Sequence, residues 1–241
     1  MCFRKAVLVI HGFIGGTYDN EYLVNYLQYQ RGLDVYAFTL PGHEKAFVSG
    51  VKYHAWIKES ENQIEHLIKK YKKIYVIGHS MGGVIASHLA TKYPQVKKLI
   101  LVAPAFEYIS HQQNLKDIPN ISKIIQRDDN QTAYEIILSK ILLVPLPTVI
   151  QFTKLIKHYK ATIKEVCVPT LIIHGDIDEV VPLKSSDYAY DNIKTTKKYK
   201  TILTNVRHAV FRSERQEEIS NYVYKFIKGG FSLTRKYKSI L

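Results

Sequence analysis

The sequence predicts an α/β domain built on a doubly wound, mostly parallel sheet of about six strands. Three observations carry that expectation. Short apolar runs rich in β-branched residues recur along the chain, mostly separated by segments with apolar residues every three to four positions. Several runs end at glycine or proline, as at Ile10 before His11-Gly12, Leu40 before Pro41-Gly42 and Ala103 before Pro104. One run, Ile74 to Ile77, bends through Gly78-His79-Ser80-Met81-Gly82 and continues as a helical pattern at Val84, Ile85 and Leu89.

In chain order, Lys5–Ile10 reads as a buried first strand. Residues 19–30 carry Tyr22, Leu23, Tyr26 and Leu27 at helical spacing, with Arg31-Gly32 as a stop. Residues 34–40 form a second strand, and 56–71 a helix with Ile57, Ile64, Leu67 and Ile68 on one face. The bent strand comes third, followed by strands over 97–103, 169–175 and Lys198–Leu203. A last helix over about 213–228 is closed by Gly229-Gly230. Residues 105–165 show helix-like apolar blocks and no obvious strand, so 1–104 and 166–230 form the expected core.

A chain of 241 residues with 46% hydrophobic content can bury a substantial core in one domain with an insertion. The run Ile141 to Ile150 is broken by Pro145 and Pro147 and is too short to span a bilayer. The N-terminal apolar run is too short for a signal sequence, and two distant cysteines make no disulfide framework. Both features point to the cytoplasm, with Cys167 expected as a small buried hydrophobe before a strand. The net charge of +13 comes from scattered lysine clusters without a nucleic-acid motif, so no nucleic-acid partner is expected. The basic tail, 231–241, is the candidate for weak contact with anionic lipid.

The bend at Ser80 concentrates the chemistry. Strand and helix nearly touch there, so side chains at positions 78 and 82 would collide. The serine is pushed out of the turn, and the following helix aims free N–H groups at its hydroxyl. This strand, Gly-x-Ser-x-Gly turn and helix resemble the nucleophile elbow of the α/β-hydrolase family. The resemblance extends to His11-Gly12-Phe13-Ile14-Gly15-Gly16, placed where that family has an oxyanion loop. By position it implies the backbone N–H groups of Phe13 and Met81 as oxyanion donors, with His11 and His43 structural. Gly175-Asp176-Ile177-Asp178-Glu179-Val180-Val181-Pro182 matches the loop that carries the family's acid, which implies Asp178, with Asp176 as the fallback. His208 stands where the family has its histidine, although Arg207 replaces the usual preceding glycine.

The resemblance covers nearly the whole chain and is nearest to bacterial carboxylesterases and monoacylglycerol lipases. It implies the α/β-hydrolase fold, with 105–165 as a helical cap. It also implies hydrolysis of short- to medium-chain carboxylic esters by Ser80, Asp178 and His208, with Ile14, Leu142, Val144 and Val180 as substrate contacts. No cofactor and no metal are expected, since the metal and nucleotide motifs are missing from the sequence. An acyl-thioesterase on the same triad and a non-catalytic binding member of the fold remain as alternatives.

Overall fold

The structure, a computed structural model, describes residues 4–44, 50–107 and 144–229. Six strands, β1 (Lys5–Ile10), β2 (Leu33–Ala37), β3 (Ile74–His79), β4 (Val96–Val102), β5 (Thr170–Gly175) and β6 (Lys198–Leu203), form one sheet in the order β2-β1-β3-β4-β5-β6. All neighbouring pairs are parallel. A parallel sheet covered on both faces needs strands that are apolar on both faces. The run Ala6 to Ile10 meets that need, with no residue more than 2% exposed.

Side chains alternate between two layers. On one face Ala6, Leu8, Ile10, Val76, Leu99, Leu101 and Ile172 pack with α2 (Tyr53–Ile68), α3 (Met81–Lys92), α4 (Leu146–Tyr159) and α5 (Lys184–Asn192). On the other, Val7, Val9, Ile77, Ile100, Val102 and Ile173 pack with α1 (Glu21–Gln28) and α6 (Gln216–Lys228). The doubly wound expectation is therefore met.

One helix was not expected, and one local expectation needs correction. Helix α5 has no counterpart in the sequence reading, because the residues it buries are Ser185, Ser186 and Ala189, which give no apolar periodicity. Cys167 is exposed, with its Sγ against the Glu165 carbonyl, because β5 begins only at Thr170. Of the segment expected as a cap, α4 and the turn Lys160–Glu165 bury Phe152, Leu155 and Ile163 in the layer containing α2 and α3. Residues 108–143 and the tail 231–241 lie outside the described residues.

Strand β1 pairs with β2 on one side and β3 on the other, so the winding direction reverses between β1 and β3. In open α/β sheets a crevice opens beyond the carboxyl ends of the strands at such a switch point. Ile10 lies opposite Gly78, so the residues two further on, Gly12 and Ser80, meet across that crevice. No helix among the described residues is long and apolar enough to cross a membrane.

Candidate active site

Ser80 sits between β3 and α3 with φ 55° and ψ −118°, a conformation that side chains rarely adopt. Surrounding bonds hold it there. Its N–H donates to the Val102 carbonyl at 2.9 Å, and its own carbonyl accepts from Gly83 N–H at 2.9 Å and Ala105 N–H at 3.1 Å. The glycines are obligatory for close approach: a Cβ on Gly78 would lie 2.2 Å from the Gly82 oxygen, and one on Gly82 would lie 2.3 Å from the Ile10 oxygen. Met81 opens α3, so its N–H has no carbonyl four residues back to bond within the helix.

The loop after β1 closes the other side of the crevice. A Cβ on Gly12 would lie 3.0 Å from the Ser80 Cβ. Ile14 is β-branched yet has φ 54°. All four non-glycine residues with positive φ among the described residues, Ile14, Ser80, Ala103 and Asn205, follow the carboxyl ends of strands. Backbone strain gathered at one rim is a mark of functional sites. The Phe13 ring stacks on Phe152 of α4 with centroids 4.6 Å apart, and it meets Trp56 edge-on at 6.0 Å. Its N–H makes no hydrogen bond among the described residues. His11 braces this loop: its Nδ1–H donates to the Gly12 carbonyl at 2.7 Å, and its Nε2 accepts the Leu40 N–H at 2.9 Å. Burial, aided by neighbouring His43, pushes His11 down to about 4, so it is neutral at ordinary pH.

The acid loop follows β5. Asp176 is exposed, whereas the Asp178 side chain is 1% exposed. Asp178 Oδ1 accepts Val180 N–H at 2.9 Å and Val181 N–H at 2.8 Å. Its Oδ2 lies 2.8 Å from His208 Nδ1 and 3.0 Å from Nε2 of His174. Burial opposes the Asp178 charge, but the two imidazoles and their hydrogen bonds outweigh it and hold the carboxyl well below its usual range. Burial likewise opposes charge on His208, and attraction to Asp178, with Glu179 and Asp19 adding, lifts it above its ordinary value.

The histidine loop is zipped to the acid loop by Asp176 N–H to Leu203 O (3.0 Å) and Ile177 N–H to Val206 O (3.4 Å). A Cβ on Gly175 would fall 1.9 Å from the Val206 oxygen, so only glycine admits that approach. The left-handed residue of the histidine loop is Asn205 at φ 57°; Arg207 does not take such a conformation. A side chain is therefore accommodated where glycine was expected.

The structure joins Asp178 to His208 directly. Ser80 reaches His208 through its chain neighbour: His79 Nε2 bonds the His208 carbonyl at 3.0 Å. No hydrogen bond links Ser80 Oγ to the His208 ring among the described residues; catalytic contacts of this kind often tighten only with substrate bound. Ile14 and Val180 are half-buried against the layer that holds α2 and α3, Val144 is half-buried before α4, and Leu142 lies outside the described residues. Sequence reasoning missed His79 and His174. The available signal for His174 was a polar residue in an otherwise apolar strand, four positions before the acid.

The fold and its bent β3–α3 junction define a doubly wound hydrolase-type architecture. A family model described as alpha/beta hydrolase fold matches residues 5–120, and one described as serine aminopeptidase, S33, matches 143–216. The chain has the α/β-hydrolase fold. It is 26% identical over 209 residues to a thermostable monoacylglycerol lipase of Bacillus sp. (strain H-257), covering 84% of this chain and 82% of the relative. It is 25% identical over 232 residues to a carboxylesterase of Bacillus subtilis (strain 168), covering 93% and 92%. A solved structure from work on two metagenome-derived lipolytic enzymes superposes with TM-score 0.75 at 20% identity, covering 94% of each chain.

Proposed function

We propose that this chain is a serine hydrolase of carboxylic esters with short- to medium-chain acyl groups, of carboxylesterase or monoacylglycerol lipase type. The observation that carries the reading is the buried Asp178–His208 pair, held beside the bent turn that presents Ser80. The likeness to a monoacylglycerol lipase and a carboxylesterase over most of the chain supports the substrate class.

In this mechanism Ser80 Oγ attacks the acyl carbonyl carbon, and His208 Nε2 takes the hydroxyl proton. Asp178 keeps the proton of His208 on Nδ1 and stabilises the imidazolium that forms. The N–H groups of Phe13 and Met81 bind the oxygen as it gains negative charge, worth about 3–4 kcal/mol per donor. His208 then returns its proton to the leaving alcohol, and the acyl-enzyme is cleaved by a water that His208 activates. Phe13, Ile14, Val144 and Val180 offer apolar surface for the acyl chain, as does Leu142 by its place in the sequence.

The test is a series of p-nitrophenyl esters from acetyl to lauroyl, with fluorophosphonate labelling of wild type and Ser80→Ala. The expected result is a maximum of kcat/KM at intermediate chain length, a single adduct on Ser80, and loss of both in the variant. Full activity in Ser80→Ala, or an unlabelled folded wild type, would overturn the reading.

A further inference from the structure

We propose that His174 is a positioning residue: it anchors the acid loop to the sheet so that Asp178 Oδ2 faces Nδ1 of His208. The proposal rests on the triad reading above. His174 lies on β5 and is fully buried. A buried imidazole is tolerated only where its nitrogens find partners. Nε2 lies 3.0 Å from Asp178 Oδ2 and 2.9 Å from the Val181 carbonyl. Both are acceptors, so Nε2 carries a proton and is shared between them. Nδ1 bonds Ser186 Oγ on α5, which sets the ring plane.

The division of labour follows from where each partner sits. The two bonds to Asp178 Oδ1 come from Val180 and Val181, inside the same turn. They shape the turn and do nothing to place it relative to the sheet. His174 is the side chain that reaches from the sheet to the far end of that turn, touching both the carboxylate and the Val181 carbonyl. The main-chain bonds of Asp176 and Ile177 and the Glu179 bond to His208 N–H keep the two loops together; without His174 the end of the turn that carries Asp178 loses its tie to β5 and shifts relative to the His208 ring. The groups facing His208 are Asp178 and Glu179 from the acid loop, His79 from β3 and Asp19 from the turn after β1. Those facing His174 are Asp178 and the hydroxyl of Ser186.

The experiment measures kcat, KM and the pH profile of kcat/KM for p-nitrophenyl butanoate, across roughly pH 5–9. It compares wild type, His174→Leu, His174→Gln, Ser186→Ala and Ser80→Ala, each checked for folding by circular dichroism. His174→Leu is expected to lower kcat roughly 10- to 100-fold, the scale of small misplacements in an active site. KM should stay within about threefold, and the acid limb should move to lower pH because His208 loses its aligned carboxylate. His174→Gln keeps an N–H near the Nε2 position and should restore most of kcat and return the limb. Ser186→Ala loosens the ring and should give a smaller change in the same directions. It decides the matter if His174→Leu does not fold, and an unchanged kcat and limb in that variant would then overturn the proposal.

A folded His174→Leu with kcat within about twofold of wild type, or with the limb unmoved or raised, would equally overturn it. A raised limb would mean that His174 acts by drawing charge from Asp178. Those failures leave the triad standing if Ser80→Ala is inactive. An active Ser80→Ala removes the triad and this proposal together.

Discussion

His79 and His208 are 129 residues apart in sequence, yet Nε2 of the first donates to the main-chain carbonyl of the second at 3.0 Å, with ring centroids 5.0 Å apart. Full burial and the nearby His208 push His79 down to about 3, so it is neutral and donates from Nε2 alone. Its place next to Ser80 makes it a strut between the Ser80 turn and the loop that carries His208. His79→Phe keeps the ring's bulk but leaves the carbonyl unpaired, with an expected stability loss of about 1–3 kcal/mol. The expected kcat loss is about tenfold, on the scale of small misplacements. Urea denaturation and p-nitrophenyl ester kinetics check both, and full activity would remove the strut.

In the proposed mechanism the acid limb of activity follows from His208. The residue must be neutral to accept a proton, and its pKa lies above the ordinary 6.5. The limb of kcat/KM is therefore expected at a pH above that value. Asp178→Asn should move it down and lower kcat by about 10⁴-fold. A limb unmoved in that variant would argue against the pairing.

The same pair sets a stability window. The raised His208 contributes stability that is fully present below its unfolded value of 6.5 and lost as pH rises through the folded one. The depressed Asp178 contributes above its unfolded value of 3.8 and loses that contribution as pH falls toward the folded one. The two windows overlap near pH 5, within the range about 4–6. Urea midpoints for wild type should show a contribution there that shrinks as pH rises above 6.5, and Asp178→Asn should remove that difference.

Gly175→Ala places a Cβ 1.9 Å from the Val206 oxygen, a backbone atom with nowhere to go. The expected destabilisation is about 1–3 kcal/mol or more, with the acid and histidine loops forced apart. Thermal and urea melts measure it, and a neutral result would show that the loops separate without penalty.

Phe152→Ala removes the ring stacked on Phe13 and opens a cavity under the loop after β1. About 3–5 kcal/mol of stability should be lost. Because Phe13 carries one proposed oxyanion donor, kcat should fall as well. Phe152→Leu, which refills much of the space, should recover stability more fully than kcat.

Much of the framework was legible because it is written locally. The inner strands β1, β3, β4 and β5 announced themselves as apolar runs, since strands buried on both faces demand them, whereas the edge strands β2 and β6 are only partly buried and admit Asp34, Lys198 and Lys200. Ser80 was legible because a strand-to-helix bend without room needs glycine at both 78 and 82. Helix α5 was not, because serine and alanine bury well without marking a face. Cys167 was misread because the apolar composition begins at Val166, ahead of the strand, which starts only at Thr170.

What the sequence alone determined is the set of parts and their order: the runs that become strands, the strained serine, the loop after β1, and an acid and a histidine downstream. The tertiary structure decided how those parts meet. It set the order β2-β1-β3-β4-β5-β6, buried Asp178 while leaving Asp176 in solvent, and brought His79 and His174 against the histidine and acid loops. The physical reason is range. Periodicity and turn chemistry act between residues a few positions apart, whereas a hydrogen bond from His79 to His208 exists only once the sheet has closed the distance between them.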